Sequence, residues 1–263
     1  MSLLTPMSNS SEKYSDQNLN EYEIAIKRAH YSEVAERYED MCEDIYEVVK
    51  LAKKNNQSIT INERNMFSSA FKNVLSKLRN SWRILNGEKE KHSNDKQIIN
   101  EKIDKVAKDI LYQTNKALNI IKEYMMVDIT NDNIQKYIFM KKMVGDYYRY
   151  QAEVLSGDKE LEVREKAKQS YEEGMAVINQ LSATDPVRLG LYLNVSVFQY
   201  EIMNDADEAC KIAKDGFEKA IGDLDSLNEE HYKDSTLILQ LLRDNLTLWT
   251  ARNDSVENKQ HEK

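Results

Sequence analysis

Three cations recur on one side of a single segment of this chain. A helix turns about 100° per residue, so positions seven apart lie about 20° from each other. Lys72, Arg79 and Arg83 therefore share one face, with Ser76 beside them and no acid among them. A second segment, Lys141-Lys142-Met143-Val144-Gly145-Asp146-Tyr147-Tyr148-Arg149-Tyr150, puts Lys142, Asp146 and Arg149 on one face and Tyr150 about 100° further round. Asp146 stands at i+4 from Lys142 and i−3 from Arg149, spacings at which opposite charges meet on a helix. In a third segment Asn194 and Glu201 are seven apart, with Val197 on the edge between them. Asn194 lies in the otherwise apolar run Leu191-Tyr192-Leu193-Asn194-Val195. A buried amide without partners costs about 1–3 kcal/mol, so Asn194 either caps something internal or faces a cavity. In a fourth segment Leu237, Leu241 and Leu248 fall within about 40° of one another, Asn245 about 40° beyond Leu241, and Trp249 further round.

Each stripe has a plain reading: a solvated basic face paired with a neighbouring helix, an intrahelical ion network, a satisfied core amide, a core stripe of leucines. Brought together they would do something more specific. Lys72, Arg79, Arg149 and a tyrosine hydroxyl in one place would bind a compact dianion. A phosphoserine carries about −1.5 to −2 charge and three acceptor oxygens, and arginine forks match it bidentately. Asn194 and Asn245 would then hold a peptide backbone, and the leucines its side chains.

Other chemistry finds little support. The histidines are His30, His92, His231 and His261, and no two sit three or four apart, which removes a helical zinc pair. None has Glu three residues before it, as the carboxylate-bridged metal bundles require. There is no Cys-x-x-Cys, no glycine loop for phosphates and no Gly-x-Ser-x-Gly elbow. The sequence therefore implies no cofactor, no metal and no enzyme. Cys42 and Cys210 are far apart and fit reduced cytosolic thiols rather than a disulfide framework. The compartment expected is the cytoplasm, with the nucleus as a further candidate. No apolar run approaches the ~18 residues of a membrane span, and the Ser- and Asn-rich N-terminus lacks the apolar stretch of a secretory signal.

The elements that must position these stripes are helices. Of 263 residues only 7 are Gly and 2 are Pro, and after Pro6 the next proline is Pro186. A β-sandwich needs a turn about every 8–12 residues; a chain this poor in breakers reads as long helices joined by short polar loops. The charged fraction of 31% suits helices with solvated outer faces. Apolar spacing of three to four predicts about nine helices, over 21–35, 38–54, 61–86, 95–123, 132–155, 160–181, 186–203, 206–222 and 230–249. Thr60-Ile61-Asn62-Glu63 reads as a capping box, Asp185-Pro186 as an N-cap with proline at the first helical position, and Asn86-Gly87 as the end of the third helix, before a charged loop over 87–95. The division expected is a polar, mobile extension over 1–20, a helical domain over 21–250 and a polar tail over 251–263.

At this point the chain resembles a known family. The run Tyr232-Lys233-Asp234-Ser235-Thr236-Leu237-Ile238-Leu239-Gln240-Leu241-Leu242-Arg243-Asp244-Asn245-Leu246-Thr247-Leu248-Trp249-Thr250 follows the 14-3-3 signature almost letter for letter. Arg64-Asn65-Met66-Phe67-Ser68-Ser69-Ala70-Phe71-Lys72-Asn73-Val74 matches more loosely, and Gly145-Asp146-Tyr147-Tyr148-Arg149-Tyr150 and Arg188-Leu189-Gly190-Leu191 also match. The likeness covers about residues 22–250. It implies an all-α fold of nine antiparallel helices, a cup-shaped protomer with an amphipathic groove, a homodimer, and an adaptor that binds phosphoserine or phosphothreonine motifs of partner proteins. Carried over by motif, Lys72, Arg79, Arg149 and Tyr150 hold the phosphate, with Lys142 a further groove cation. Asn194 and Asn245 hold the peptide backbone, Leu193, Val197, Leu241, Leu248 and Trp249 line the apolar wall, and Glu201 supports the floor.

The chain departs from the family pattern in places. Leu78 stands where a second basic residue usually precedes Arg79, and Val144 replaces a common lysine beside the groove. At the dimer seam the resemblance places Arg37, Asp40 and Lys102, but the acid that usually pairs with the arginine is Val106, and a seam tyrosine is Ile99. Asp40–Lys102 would persist while Arg37 loses its partner. Ser81 matches a seam serine whose phosphorylation would separate the protomers, whereas Asp205-Ala206 replaces a second phosphorylation position. Three readings compete with the phosphate-dependent adaptor. A helical scaffold would bind plain and phosphorylated peptides alike. A nucleic-acid binder is at odds with a net charge of −8, and an enzyme lacks a motif.

Overall fold

The computed structural model describes residues 19–126, 130, 133–223 and 229–261, and the expected mobile extension over 1–20 lies almost wholly outside them. Among the described residues the fold is all-α, with nine α-helices and no strand: α1 Glu21–Val34, α2 Tyr38–Lys54, α3 Ile61–Lys91, α4 Lys96–Ile120, α5 Ile134–Val154, α6 Asp158–Met175, α7 Pro186–Glu201, α8 Ala206–Gly222 and α9 Glu229–His261. Each helix touches the next in the chain, α6 and α7 least, and α5 also touches α7, which touches α9.

The caps read from the sequence are present. Thr60 Oγ1 accepts from the Glu63 amide at 3.3 Å, and Glu63 Oε2 accepts from the Thr60 amide at 2.8 Å. Asp185 Oδ1 accepts from Val187 N at 2.7 Å, ahead of Pro186. One boundary differs. Asn86-Gly87 does not end α3, which runs on to Lys91. Gly87 does not adopt the left-handed conformation that a terminating glycine uses. Asn86 Nδ2 instead donates back to the Trp82 carbonyl at 2.8 Å, inside the helix. The end at His92 is supported by Lys89 and Lys91 beside the exposed carbonyls. Helix α4 widens at its end, closing through a π-helical turn over Ile121–Met125. The sixth predicted helix stops at Met175 and resumes as a short 3-10 turn at Ile178–Gln180. Helix α9 outruns its prediction, continuing into the polar tail.

Three apolar clusters hold the helices. One joins α1 to α5 around Met41, Ile45, Phe67, Phe71 and Met140. The second joins α5, α6 and α7 around Tyr171, Leu191 and Phe198. The third joins α7, α8 and α9 around Leu189, Ala213, Leu242 and Trp249. Helices α3, α5, α7 and α9 thus carry the four stripes on a scaffold packed behind them.

Candidate functional site

The α3 and α5 stripes meet. The Arg79 guanidinium lies over the Tyr150 ring, 3.9 Å from its centroid, and the Arg149 guanidinium approaches the same ring at 4.7 Å. Two like charges this close need an acid between them, and Glu153 of α5 supplies it. Arg79 Nε donates to Glu153 Oε2 at 2.9 Å and Nη2 to Oε1 at 2.5 Å. Glu153 also lies 3.6 Å from Arg83 Nη2 and 3.7 Å from Arg149 Nη1. Glu201 of α7 completes the cluster, 3.5 Å from Arg83 and 4.0 Å from Arg149. Lys72 is exposed on the same face of α3, about two turns before Arg79.

Behind Arg149 is a buried polar hub built on Asp146. Its carboxylate accepts from Lys142 Nζ at 3.0 Å, from Arg149 Nη2 at 3.4 Å, from the Tyr171 hydroxyl at 2.7 Å, and from Asn194 Nδ2, which reaches both oxygens at 2.8 Å. Arg149 Nε also donates to the Tyr171 oxygen at 3.3 Å. Burial alone would raise the Asp146 carboxyl; Lys142 and Arg149, with the Tyr171 hydrogen bond, hold it below its ordinary range. Burial and the Asp146 charge push the Tyr171 hydroxyl well above its ordinary range, so it keeps its proton and donates. Asn194 is therefore the amide that caps something internal, and what it caps is Asp146.

The apolar side follows. Leu193 and Val197 of α7 are half-buried against the third cluster, and Leu241 and Leu248 of α9 are 44% and 50% exposed. Asn245 is half-buried between them on α9. Trp249 is buried and stacks on Tyr200 with ring centroids 4.7 Å apart. The residues that the resemblance assigns to a dimer seam lie elsewhere. Arg37 is not left without a partner in this chain, since Asp40 of α2 takes its Nε. Lys102 is exposed on α4, and Ser81 Oγ donates to the Lys77 carbonyl at 3.0 Å. Leu78, Val106 and Val144 all pack on the first cluster.

Two residues of the site went unnoticed in the sequence. Glu153 had a signal, since it stands four after Arg149 and belongs to the same stripe. Tyr171 comes from α6 and had none. Among the described residues no group of His, Cys, Asp or Glu is placed to hold a metal ion. Cys42 is buried and its thiol is pushed up to about 12 by that burial, which keeps it protonated.

Arginines of α3 and α5 thus cluster with acids of α5 and α7, and α7 and α9 carry half-buried and exposed apolar side chains. The family model for 14-3-3 protein matches residues 28–250. The chain belongs to the 14-3-3 family. A 14-3-3 protein homolog of Encephalitozoon cuniculi is 46% identical over 239 residues, covering 89% of this chain and 93% of the relative. The human 14-3-3 protein eta is 41% identical over 239 residues, covering 89% and 96%. The 14-3-3-like protein 2 of Caenorhabditis elegans is 43% identical over 233 residues, covering 87% and 92%. Members of the 14-3-3 family are adaptors that bind phosphopeptides and are not enzymes. No helix among the described residues is long and apolar enough to cross a membrane.

Proposed function

We propose that this 14-3-3 protein binds its partners only when their serine or threonine carries a phosphate, and that Lys72, Arg79, Arg149 and Tyr150 hold that phosphate. The observation that carries the reading is the pair of guanidiniums on one tyrosine ring, locked by Glu153 and Asp146. Side chains fixed in advance lose little entropy on binding. Asn194 and Asn245 hold the peptide backbone. Lys142, Leu193, Val197, Glu201, Leu241, Leu248 and Trp249 form the groove around it.

Fluorescence anisotropy with an Arg-Ser-x-pSer-x-Pro peptide and its unphosphorylated twin tests this. The phosphorylated form is expected to bind alone. Arg79→Ala removes hydrogen bonds to a charged group worth about 1.5–3 kcal/mol each, so binding should weaken about a hundredfold. Arg79→Lys, which keeps the charge and loses the fork, should fall between. Equal binding of both peptides would establish the scaffold reading instead.

The protein works as a homodimer whose seam includes Arg37, Asp40, Lys102 and Ser81. Apolar side chains stand in solvent on the helices such a seam would use: Tyr31 and Val34 of α1 at 66% and 67% exposed, Ile84 of α3 at 56%, Ile98 of α4 at 61%. Exposed ion pairs contribute only about 0–1 kcal/mol, so these apolar groups carry the association. Sedimentation at micromolar concentration should give twice the chain mass; a monomer there would refute it. Two linked grooves raise the effective concentration for doubly phosphorylated partners.

A further inference from the structure

Arg64 of α3 is 5% exposed, yet its guanidinium has no hydrogen-bond or ion-pair partner among the described residues, and its Nε is fully enclosed. It lies over the Phe139 ring of α5, 4.4 Å from the centroid, a contact that satisfies none of its five N–H groups. Burial pulls the guanidinium down from its ordinary range, but an arginine keeps its proton at neutral pH. Taking such a charge out of water is costly unless a counter-charge meets it. Lys136, in the first turn of α5, is half-buried close by and likewise unpaired; burial and the Arg64 charge hold its ammonium below its ordinary range. The acids nearby are committed elsewhere. Glu63 accepts from the Tyr22 hydroxyl and the Thr60 amide. Asp185 accepts from the Val187 and Arg188 amides and from Gln135.

The two cations stand at the end of the stripe already described. Phe139 is seven residues before Asp146, about 20° away on the same face of α5, and Lys142 Nζ lies 5.7 Å from the Phe139 ring. One face of α5 therefore runs from Arg64 past Lys142 and Asp146 to Arg149. At about 1.5 Å per residue, Phe139 is about 15 Å from Arg149 along α5, and Arg64 about 12 Å from Lys72 along α3. An extended peptide covers about 3.3 Å per residue, so either path is about four residues long. The start of α5 favours an anion beside Lys136, and a guanidinium matches the two oxygens of a carboxylate.

Resting on the phosphopeptide reading above, we infer that Arg64 and Lys136 form a second anion site, separate from the phosphate cluster, which takes an aspartate or glutamate of the partner peptide about four residues from its phosphoserine. The test is a set of alanine-flanked phosphoserine peptides in which one glutamate is moved from five residues before the phosphoserine to five after it. Each is matched by the same peptide with glutamine there. The readout is the ratio of the two dissociation constants, glutamine over glutamate. It should be about ten at one or two adjacent positions, about four residues from the phosphoserine on one side, and near one elsewhere. Arg64→Met keeps an apolar stem over Phe139 and removes the guanidinium. Lys136→Glu gives Arg64 a carboxylate from its own chain. Either variant should bring the ratio at that position down to about one. A general loosening of the groove would weaken both peptides together and leave the ratio alone.

A ratio near one at every position, or a gain confined to positions next to the phosphoserine, overturns the inference. So does a gain that survives in Lys136→Glu with the circular dichroism of the wild-type, since the acid would then sit elsewhere. Should Arg64→Met not fold, Lys136→Glu is read alone, because it lies at a half-buried position in the first turn of a helix. Failure of the wild-type to prefer a phosphorylated peptide over its plain twin would overturn the functional reading itself, and is seen before any glutamate is placed.

Discussion

Replacing Asp146 by Asn is expected to destabilise the protein by about 3 kcal/mol at neutral pH, as measured by denaturant unfolding. The size follows from what the substitution leaves behind. Asp146 is 6% exposed and faces Arg149, 5% exposed, and Lys142. Removing one partner of a buried ion cluster costs about 3–5 kcal/mol, because the remaining charge is neither solvated nor paired. Arg149 keeps Glu153 at 3.7 Å, which puts the cost at the lower end. The effect should depend on pH in a definite direction. The folded-state carboxyl of Asp146 is held below its ordinary range against its own burial. A group depressed in this way contributes stability that is present above its unfolded pKa of about 3.9 and lost as pH falls through the folded value. The gap between wild-type and Asp146→Asn should therefore be full at pH 7 and narrow below about pH 4. A gap of the same size at pH 3 would mean that the carboxylate charge is not what holds the hub.

The hub also marks where reading the sequence succeeded and where it stopped. Periodicity of 3.6 needs only local residues, so the helices and the caps at Thr60 and Asp185 were legible. The boundary at Asn86-Gly87 was not, because a glycine terminates a helix only when it takes a left-handed conformation, and here nothing forces it to. The α3 and α5 stripes were legible as faces, since spacing alone places Arg79 with Lys72 and Arg149 with Asp146. Their convergence was not, because it depends on how α3 packs beside α5. The plain reading of the α3 face, cations paired with acids of a neighbouring helix, holds for Arg79 and Arg83. Glu153 does pair with Arg79, and that pairing is what orients the fork. Asn194 posed the question of its own partner through its apolar neighbours. The answer lay on another helix, 48 residues away.

Substituting Gly145 by Ala is the second large effect, and it tests the link between packing and site. A Cβ at Gly145 would lie within 3 Å of three ring carbons of Tyr171, at 2.6 Å and 2.7 Å from Cδ1 and Cζ. Tyr171 is 1% exposed and packs on Phe198 with ring centroids 5.4 Å apart, so the ring has no empty space to move into. Overpacking a closed core costs about 1–3 kcal/mol. The functional consequence is separate. The displaced ring carries the hydroxyl that donates to Asp146 and meets Arg149, so a shifted Tyr171 releases Arg149 from its set orientation. Phosphopeptide affinity should fall about tenfold even where the variant is fully folded. Gly87→Ala in α3 is the control: nothing lies within 4 Å of its added Cβ, and its backbone is helical. That change should raise stability by about 0.4–1 kcal/mol through the unfolded chain alone. Combining Gly145→Ala with Tyr171→Ala removes both the clash and the ring. The double variant should be less destabilised than the two single changes added together, by more than about 0.5 kcal/mol. Strict additivity would show that Gly145 is small for some reason other than the approach of Tyr171.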